Sequence, residues 1–229
     1  MENIHILYED NHLLVVKKPA GYLSQPAKKD LPDMLTELKA YLKETYHKPG
    51  NVFLGLVHRL DVNVSGVMVF AKTSKCASRL FSSMREGNFE KKYAAVVKGT
   101  LPLHQPQTLI HYLSKDEKRK VSVQTDKNNG KRAELVYEAI ENAMVDNMPI
   151  ALVRITLESG RFHQIRKQLS SRGMPIAGDK KYGTYLSDHS IALVAYHLSF
   201  PHPTKDEMMA FTVKPDGPPF GCFRRLSDL

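Results

Sequence analysis

Tryptophan is absent from this chain, and cysteine occurs only at Cys76 and Cys222, far apart and in no Cys-x-x-Cys spacing. Two such cysteines build neither a disulfide framework nor a thiolate zinc site, and both read as structural or incidental. Long apolar runs are missing too. No stretch approaches the ~18 to 20 apolar residues needed to cross a bilayer, and no apolar segment follows a basic leader. Neither export nor a membrane partner is expected, and the chain reads as cytoplasmic. Internal repeats and low-complexity segments are lacking. Acidic residues are in deficit: Asp+Glu 24 against Lys+Arg 33 gives +9 at pH 7 and a pI near 9.4. That balance favours a polyanionic partner, with nucleic acid first.

What is present is ordinary for a globular protein: 42% hydrophobic and 25% charged residues over 229 positions. This length suits one sizeable core, or one catalytic domain of two lobes sharing a cleft, so a single domain over 1–229 is expected. Ile6 to Val16 reads as two short strands around Asp10-Asn11. A helix follows, with Asp30 at its N-cap and Met34, Leu35, Leu38, Tyr41 and Leu42 at helical spacing until Pro49-Gly50. Val67 to Ala71 reads as a buried strand. Ser74 would cap a helix with Ala77, Leu80, Phe81 and Met84 on one face, ending at Gly87.

Lys91 to Gly99 has strand composition, and Ser114 to Arg132 reads as a β-hairpin with an exposed tip, Asn128-Asn129-Gly130 supplying the turn signal. Ala133 to Ile140 and Ile150 to Leu157 resemble paired strands. Gly160 to Gly173 reads as a turn feeding a helix, with Phe162, Ile165 and Leu169 on its apolar side and His163 and Arg166 on another. Ile191 to Phe200 and Met208 to Val213 complete the strands. Strands outnumber helices without alternating with them, so the expected class is α+β with a mixed, mainly antiparallel sheet, flanking helices and a catalytic cleft.

Two ordered motifs carry chemistry. The first is His58-Arg59-Leu60-Asp61, followed by Ser65-Gly66 and Ala71-Lys72; the second is Gly160-Arg161 with His163-Gln164-Ile165-Arg166, then Gly173, Pro175-Ile176, Gly178-Asp179 and Tyr182-Gly183. Supporting matches are Glu9-Asp10, Lys18-Pro19-x-Gly21, Lys91-x-Tyr93 and Leu198-x-Phe200-x-His202-Pro203. In their order and spacing these residues resemble the RluA-type RNA pseudouridine synthases over nearly the whole chain.

The resemblance implies an isomerase that converts uridine to pseudouridine within RNA, ribosomal or transfer, using no metal and no organic cofactor. Family members often carry a small N-terminal RNA-binding domain. Here Ile6-Leu7-Tyr8-Glu9-Asp10 begins almost at once, so the catalytic domain is expected to bind RNA alone, as a monomer. By the same resemblance Asp61 is the reactive carboxylate, acting either by covalent attack or by taking a sugar proton to form a glycal. Arg166 would keep it ionised. The target base must leave the stack, and Arg59 either fills the vacated space or pairs with a phosphate. Tyr93 would stack on the uracil with its hydroxyl near C5, and Ile165 and Leu198 would floor the base pocket. His58, Arg161, Lys18, Lys72 and Lys91 are further candidate RNA contacts, with Lys92 and the run Lys118-Arg119-Lys120 also available to phosphate. His58 and His163 lack metal-ligand spacing and read as loop-positioning groups.

Val64, Leu135 and Gln168 depart from the family's common threonine, threonine and histidine, which bears on subfamily and substrate rather than on the reaction. One alternative is a non-catalytic RNA-binding or RNA-folding protein on the same scaffold. Another is a hydrolase pairing Asp61 with His58 or His163, which lacks a nucleophile constellation.

Overall fold

The computed structural model describes residues 4–27, 31–183 and 190–229. The chain forms two units: unit 1 is Met1–Glu90 with Ala195–Val213, and unit 2 is Lys91–Val194 with Lys214–Leu229. Along the chain the elements are β1 (His5–Glu9), β2 (Leu13–Lys18), α1 (Met34–Thr45), β3 (Gly55–Leu56), β4 (Ser65–Ala71), α2 (Ser74–Arg85) and β5 (Glu90–Lys98). There follow β6 (Gln107–Asp116), β7 (Val121–Thr125), β8 (Lys131–Val145), β9 (Met148–Leu157), α3 (Gln164–Ser171), β10 (Leu193–Pro201) and β11 (Met208–Thr212), then 3-10 turns at Phe220–Cys222 and Leu226–Asp228.

In unit 1 the strands run β1-β2-β4-β10, with β3 also on β4 and β11 on β10. The pairs β1–β2, β2–β4, β3–β4 and β10–β11 are antiparallel. Leu13 to Val16 and Val67 to Ala71 are buried without interruption, as the continuous apolar runs require of strands covered on both faces. Strand β4 starts at Ser65, so Ser65-Gly66 forms the strand's entrance. Gly66 has φ 138°, and a Cβ there would lie 2.2 Å from the Ala195 carbonyl oxygen, so only glycine lets β10 approach.

The caps differ from expectation. Asp33, not Asp30, caps α1 by accepting the Thr36 N–H at 2.9 Å, and Asp30 lies outside the described residues. Thr73, not Ser74, caps α2, its hydroxyl accepting from Cys76 N–H. Cys76, Ala77 and Leu80 form the buried face of α2, whereas Phe81 is exposed.

Asp10 closes unit 1. Its carboxylate accepts from the backbone N–H of His12 and Leu13, each at 2.7 Å, from the Tyr8 hydroxyl, and from His202 Nε2 at 2.9 Å. The Nδ1 atom of His202 accepts from the backbone N–H of Thr204 and Lys205, which puts the ring hydrogen on Nε2 and aims it at Asp10. The side chain of His202 is fully buried. Burial alone would raise the Asp10 pKa, but the hydrogen bonds from His12, His202, Leu13 and Tyr8 overcome it and hold it at about 2.

In unit 2 the order is β5-β9-β8-β6-β7, with β5–β9, β8–β9, β6–β8 and β6–β7 antiparallel. The hairpin β8–β9 is longer than its apolar pattern suggests, and turns on Asp146-Asn147, both at positive φ (48° and 61°). Two consecutive left-handed residues form the primed turn that matches strand twist. The polar region forms two turns rather than one hairpin tip. Residues 117–120 join the paired strands β6 and β7, while the Asn128-Asn129-Gly130 turn joins β7 to β8, which have β6 between them. Phe162 precedes α3 instead of lying on its apolar side. The class is α+β, with a mainly antiparallel sheet and, among the described residues, no helix long and apolar enough to cross a membrane.

The Asp10 pKa is lowered from 3.8, so its contribution is fully present above about pH 4 and is lost as pH falls toward 2. Urea unfolding of Asp10→Asn against wild type should show a difference of about 2 kcal/mol at pH 6 that shrinks across that window. Gly66→Ala should lower stability by more than about 2 kcal/mol, measured by thermal unfolding.

Candidate active site

The segment from His58 to Val64 is tied down at alternate residues. Nε2 of His58 accepts the Val69 N–H of β4 at 3.2 Å. Ser24 Oγ grips Leu60 twice, accepting its N–H at 3.1 Å and donating to its carbonyl at 3.0 Å. The Val62 carbonyl accepts from Gly21 N–H at 2.8 Å and from Lys18 Nζ at 3.0 Å. The Val64 N–H closes a turn onto the Asp61 carbonyl at 3.0 Å. Along this loop Leu60 and Val64 are buried, while Arg59 and Asn63 are exposed and Asp61 is half-buried.

Lys18, expected at a phosphate, is fully buried. Its Nζ donates to the carbonyls of Pro19 (2.9 Å), Tyr22 (2.7 Å) and Val62 (3.0 Å). Three acceptors use the three hydrogens of an ammonium group, so the site is built for the charged amine. Burial pushes the Lys18 pKa down to about 7 while the Asp61 carboxylate opposes the shift. The buried Lys18 amine therefore lies in the field of Asp61, within the same unit. Lys72, the other lysine expected at a phosphate, is 8% exposed at its side chain and its ammonium meets Glu9 at 2.6 Å.

Arg166 and Tyr93 belong to unit 2. Arg166 is buried in α3, its Nε and Nη2 donating to Asp179 Oδ2 and Oδ1 at 2.8 and 2.7 Å. Asp179 is itself buried and its Oδ1 also accepts the Lys181 N–H, which fixes the carboxylate that fixes the arginine. The Tyr182 ring lies 5.2 Å from the guanidinium carbon. Tyr93 is buried in β5, opposite Ile155 of β9. Ile165 on α3 and Leu198 on β10 are also buried.

Of the remaining RNA candidates, Arg161 is exposed, with Nε donating to the Arg132 carbonyl at 2.9 Å. Lys91 is half-buried, and burial lowers its pKa against the opposing charge of Glu158. His163 is the N-cap residue of α3 in left-handed conformation, with Nδ1 2.9 Å from the Tyr182 hydroxyl. Gln168 is buried, its Nε2 donating to the Leu109 and Ala133 carbonyls at 3.0 and 3.2 Å, which fastens α3 to β6 and β8. Among the described residues no three His, Cys, Asp or Glu side chains group so as to hold a metal. Sequence reasoning missed the roles of Ser24, Asp179 and Tyr182. The last two lie in the second motif, but nothing around Ser24 marks its function.

A strand-bordered loop presenting a carboxylate, with a buried amine behind it, on an antiparallel α+β scaffold defines an RNA-modifying enzyme only when its relatives agree, and they do. Residues 12–171 match the family described as RNA pseudouridylate synthase. The chain is 32% identical over 216 residues to the dual-specificity RNA pseudouridine synthase RluA of Haemophilus influenzae, covering 93% of this chain and 94% of that one. It is 33% identical over 224 residues to an uncharacterized RNA pseudouridine synthase of Aquifex aeolicus (92% and 69% covered). The ribosomal large subunit pseudouridine synthase D of Zymomonas mobilis is 33% identical over 230 residues (91% and 68%). The solved structure of human RNA pseudouridylate synthase domain containing 4 shares the fold, at TM-score 0.75 and 22% identity, with 97% of this chain and 93% of that one covered. The chain belongs to the RNA pseudouridylate synthase family, in its RluA-type branch. It is an isomerase that converts uridine to pseudouridine in RNA.

Ser24→Ala should leave the N–H and carbonyl of Leu60 without partners and cost about 1 to 3 kcal/mol, read from the urea unfolding midpoint.

Proposed function

We propose that the chain isomerises uridines of ribosomal or transfer RNA with Asp61 as the reactive carboxylate. The observation that carries this reading is the pinned loop. Backbone atoms on both sides of Asp61 are fixed by Ser24, Gly21 and Lys18, as pre-organised catalysis requires of a group that must meet one atom of a sugar. A binding protein has no need to hold a carboxylate this way in a chain of net charge +9.

Asp61 either attacks the ribose anomeric carbon as uracil leaves, or removes a sugar proton so that a glycal forms. In both routes the detached uracil turns and rejoins through C5, which expels the Asp61 carboxylate in the first route and is accompanied by return of the sugar proton in the second; C5 then loses its proton and N1 gains one, so the net change is an isomerisation. Arg166 supplies a fixed positive charge to the reacting nucleotide, held in place by Asp179. Tyr93 packs on the uracil and presents its hydroxyl to C5, with Ile165 and Leu198 as apolar floor. Arg59 takes the space that the extruded base vacates, and Arg161 and Lys91 meet phosphates. The free thiols of Cys76 and Cys222 fit a reducing, cytoplasmic setting.

Incubation with RNA tritiated at uridine C5 tests the reading. Wild type should release label from ribosomal or transfer RNA, and Asp61→Asn should release on the order of a thousandfold less. Equal release by the variant removes Asp61 from its role. Arg166→Lys keeps the charge but loses the fork that fits Asp179, so kcat should fall about 10- to 100-fold while the RNA Kd changes little.

A further inference from the structure

Phe162 stands just outside α3 with 38% of its surface exposed, yet it is held stiffly. Its ring stacks on His163 at 3.8 Å between centroids and 20° between planes. His163 is fixed in turn. The Tyr182 hydroxyl accepts the Ser122 N–H and is hydrogen-bonded to His163 Nδ1 at 2.9 Å. The His163 backbone is left-handed at φ 46°, which turns the chain sharply between Phe162 and the helix. A lone exposed phenylalanine needs no explanation. An exposed ring seated on a second ring, with that ring hydrogen-bonded to a tyrosine anchored on a strand, is a pre-formed surface.

Its setting is cationic. Lys115 Nζ lies 5.1 Å from the ring centroid, and its ion pair with Glu117 is exposed on both sides and weak. Arg161 precedes the ring and is exposed. An aromatic ring seated on His163, with an exposed lysine ammonium over it and Arg161 next to it, matches an unpaired nucleotide whose base takes the lysine's place over the ring while its phosphates meet the two cations.

We propose that Phe162 is a stacking platform for an unpaired base of the RNA substrate other than the reacting uridine, with Lys115 and Arg161 holding the phosphates beside it. The inference rests on the RNA reading above and names a second contact on that RNA. Because binding through a remote base stabilises ground and transition states alike, the platform acts on KM and not on kcat.

The chain has no tryptophan, so Phe162→Trp places a single reporter on the platform. In an Asp61→Asn background, which stops turnover, its emission should be quenched saturably by an RNA that wild type converts. In the active background Phe162→Ala should raise KM about tenfold with kcat within about twofold, and Phe162→Tyr should restore KM. Phe162→Leu, which keeps apolar bulk without a π-face, should resemble Phe162→Ala. Unchanged emission at saturating RNA, a Leu variant equal to wild type, or a loss confined to kcat overturns the platform. Wild type releasing no tritium from any RNA overturns the RNA reading itself, and the platform with it.

Discussion

Lys18 is the residue on which the candidate site depends. A lysine ammonium is costly to take out of water, and this one is fully buried on three backbone carbonyls, one of them belonging to the residue after Asp61. The same amine therefore joins the end of β2 to the loop, and the Asp61 carboxylate favours its protonated form against the cost of burial. Ser24 completes the fixation from the residue before Asp61, and β4 begins three residues after the Val62 carbonyl, so the loop has little freedom to swing. Gly66 is forced by the same economy of space, since β10 passes where any side chain would sit.

Unit 2 repeats this logic with a different pair. Arg166 is usable as a fixed cation because Asp179 takes two of its hydrogens, and Asp179 is held by the turn that follows it. Gln168 fastens α3 to β6 and β8 through its amide. In both units a chemically capable side chain is held through a buried polar one, the Asp61 loop by Lys18 and Arg166 by Asp179.

The motifs, their order, the strand-rich class and the approximate place of most elements were legible in the sequence, because continuous apolar runs such as Val67 to Ala71 and the alternation after Ile150 have few other readings. Caps were misplaced by one residue at Thr73 and by three at Asp33, where several polar residues compete and only the backbone angle decides. The strand order around β6 was hidden because a strong turn signal says that the chain reverses, not which neighbour it reverses against. Lys18 and Lys72 looked like surface cations because a lysine is written the same way whichever face its strand turns to water. Ser24 carries no local sign at all, since its partner lies 36 residues away.

The central claim is that Lys18 aims Asp61 rather than gripping RNA. The direct measurement is tritium release by Lys18→Met together with its RNA Kd across a salt series. If the account holds, kcat falls by about 10- to 100-fold while Kd and its salt slope stay at wild-type values. A weakened Kd with a shallower salt slope and an unchanged kcat would contradict it, returning Lys18 to the phosphate backbone.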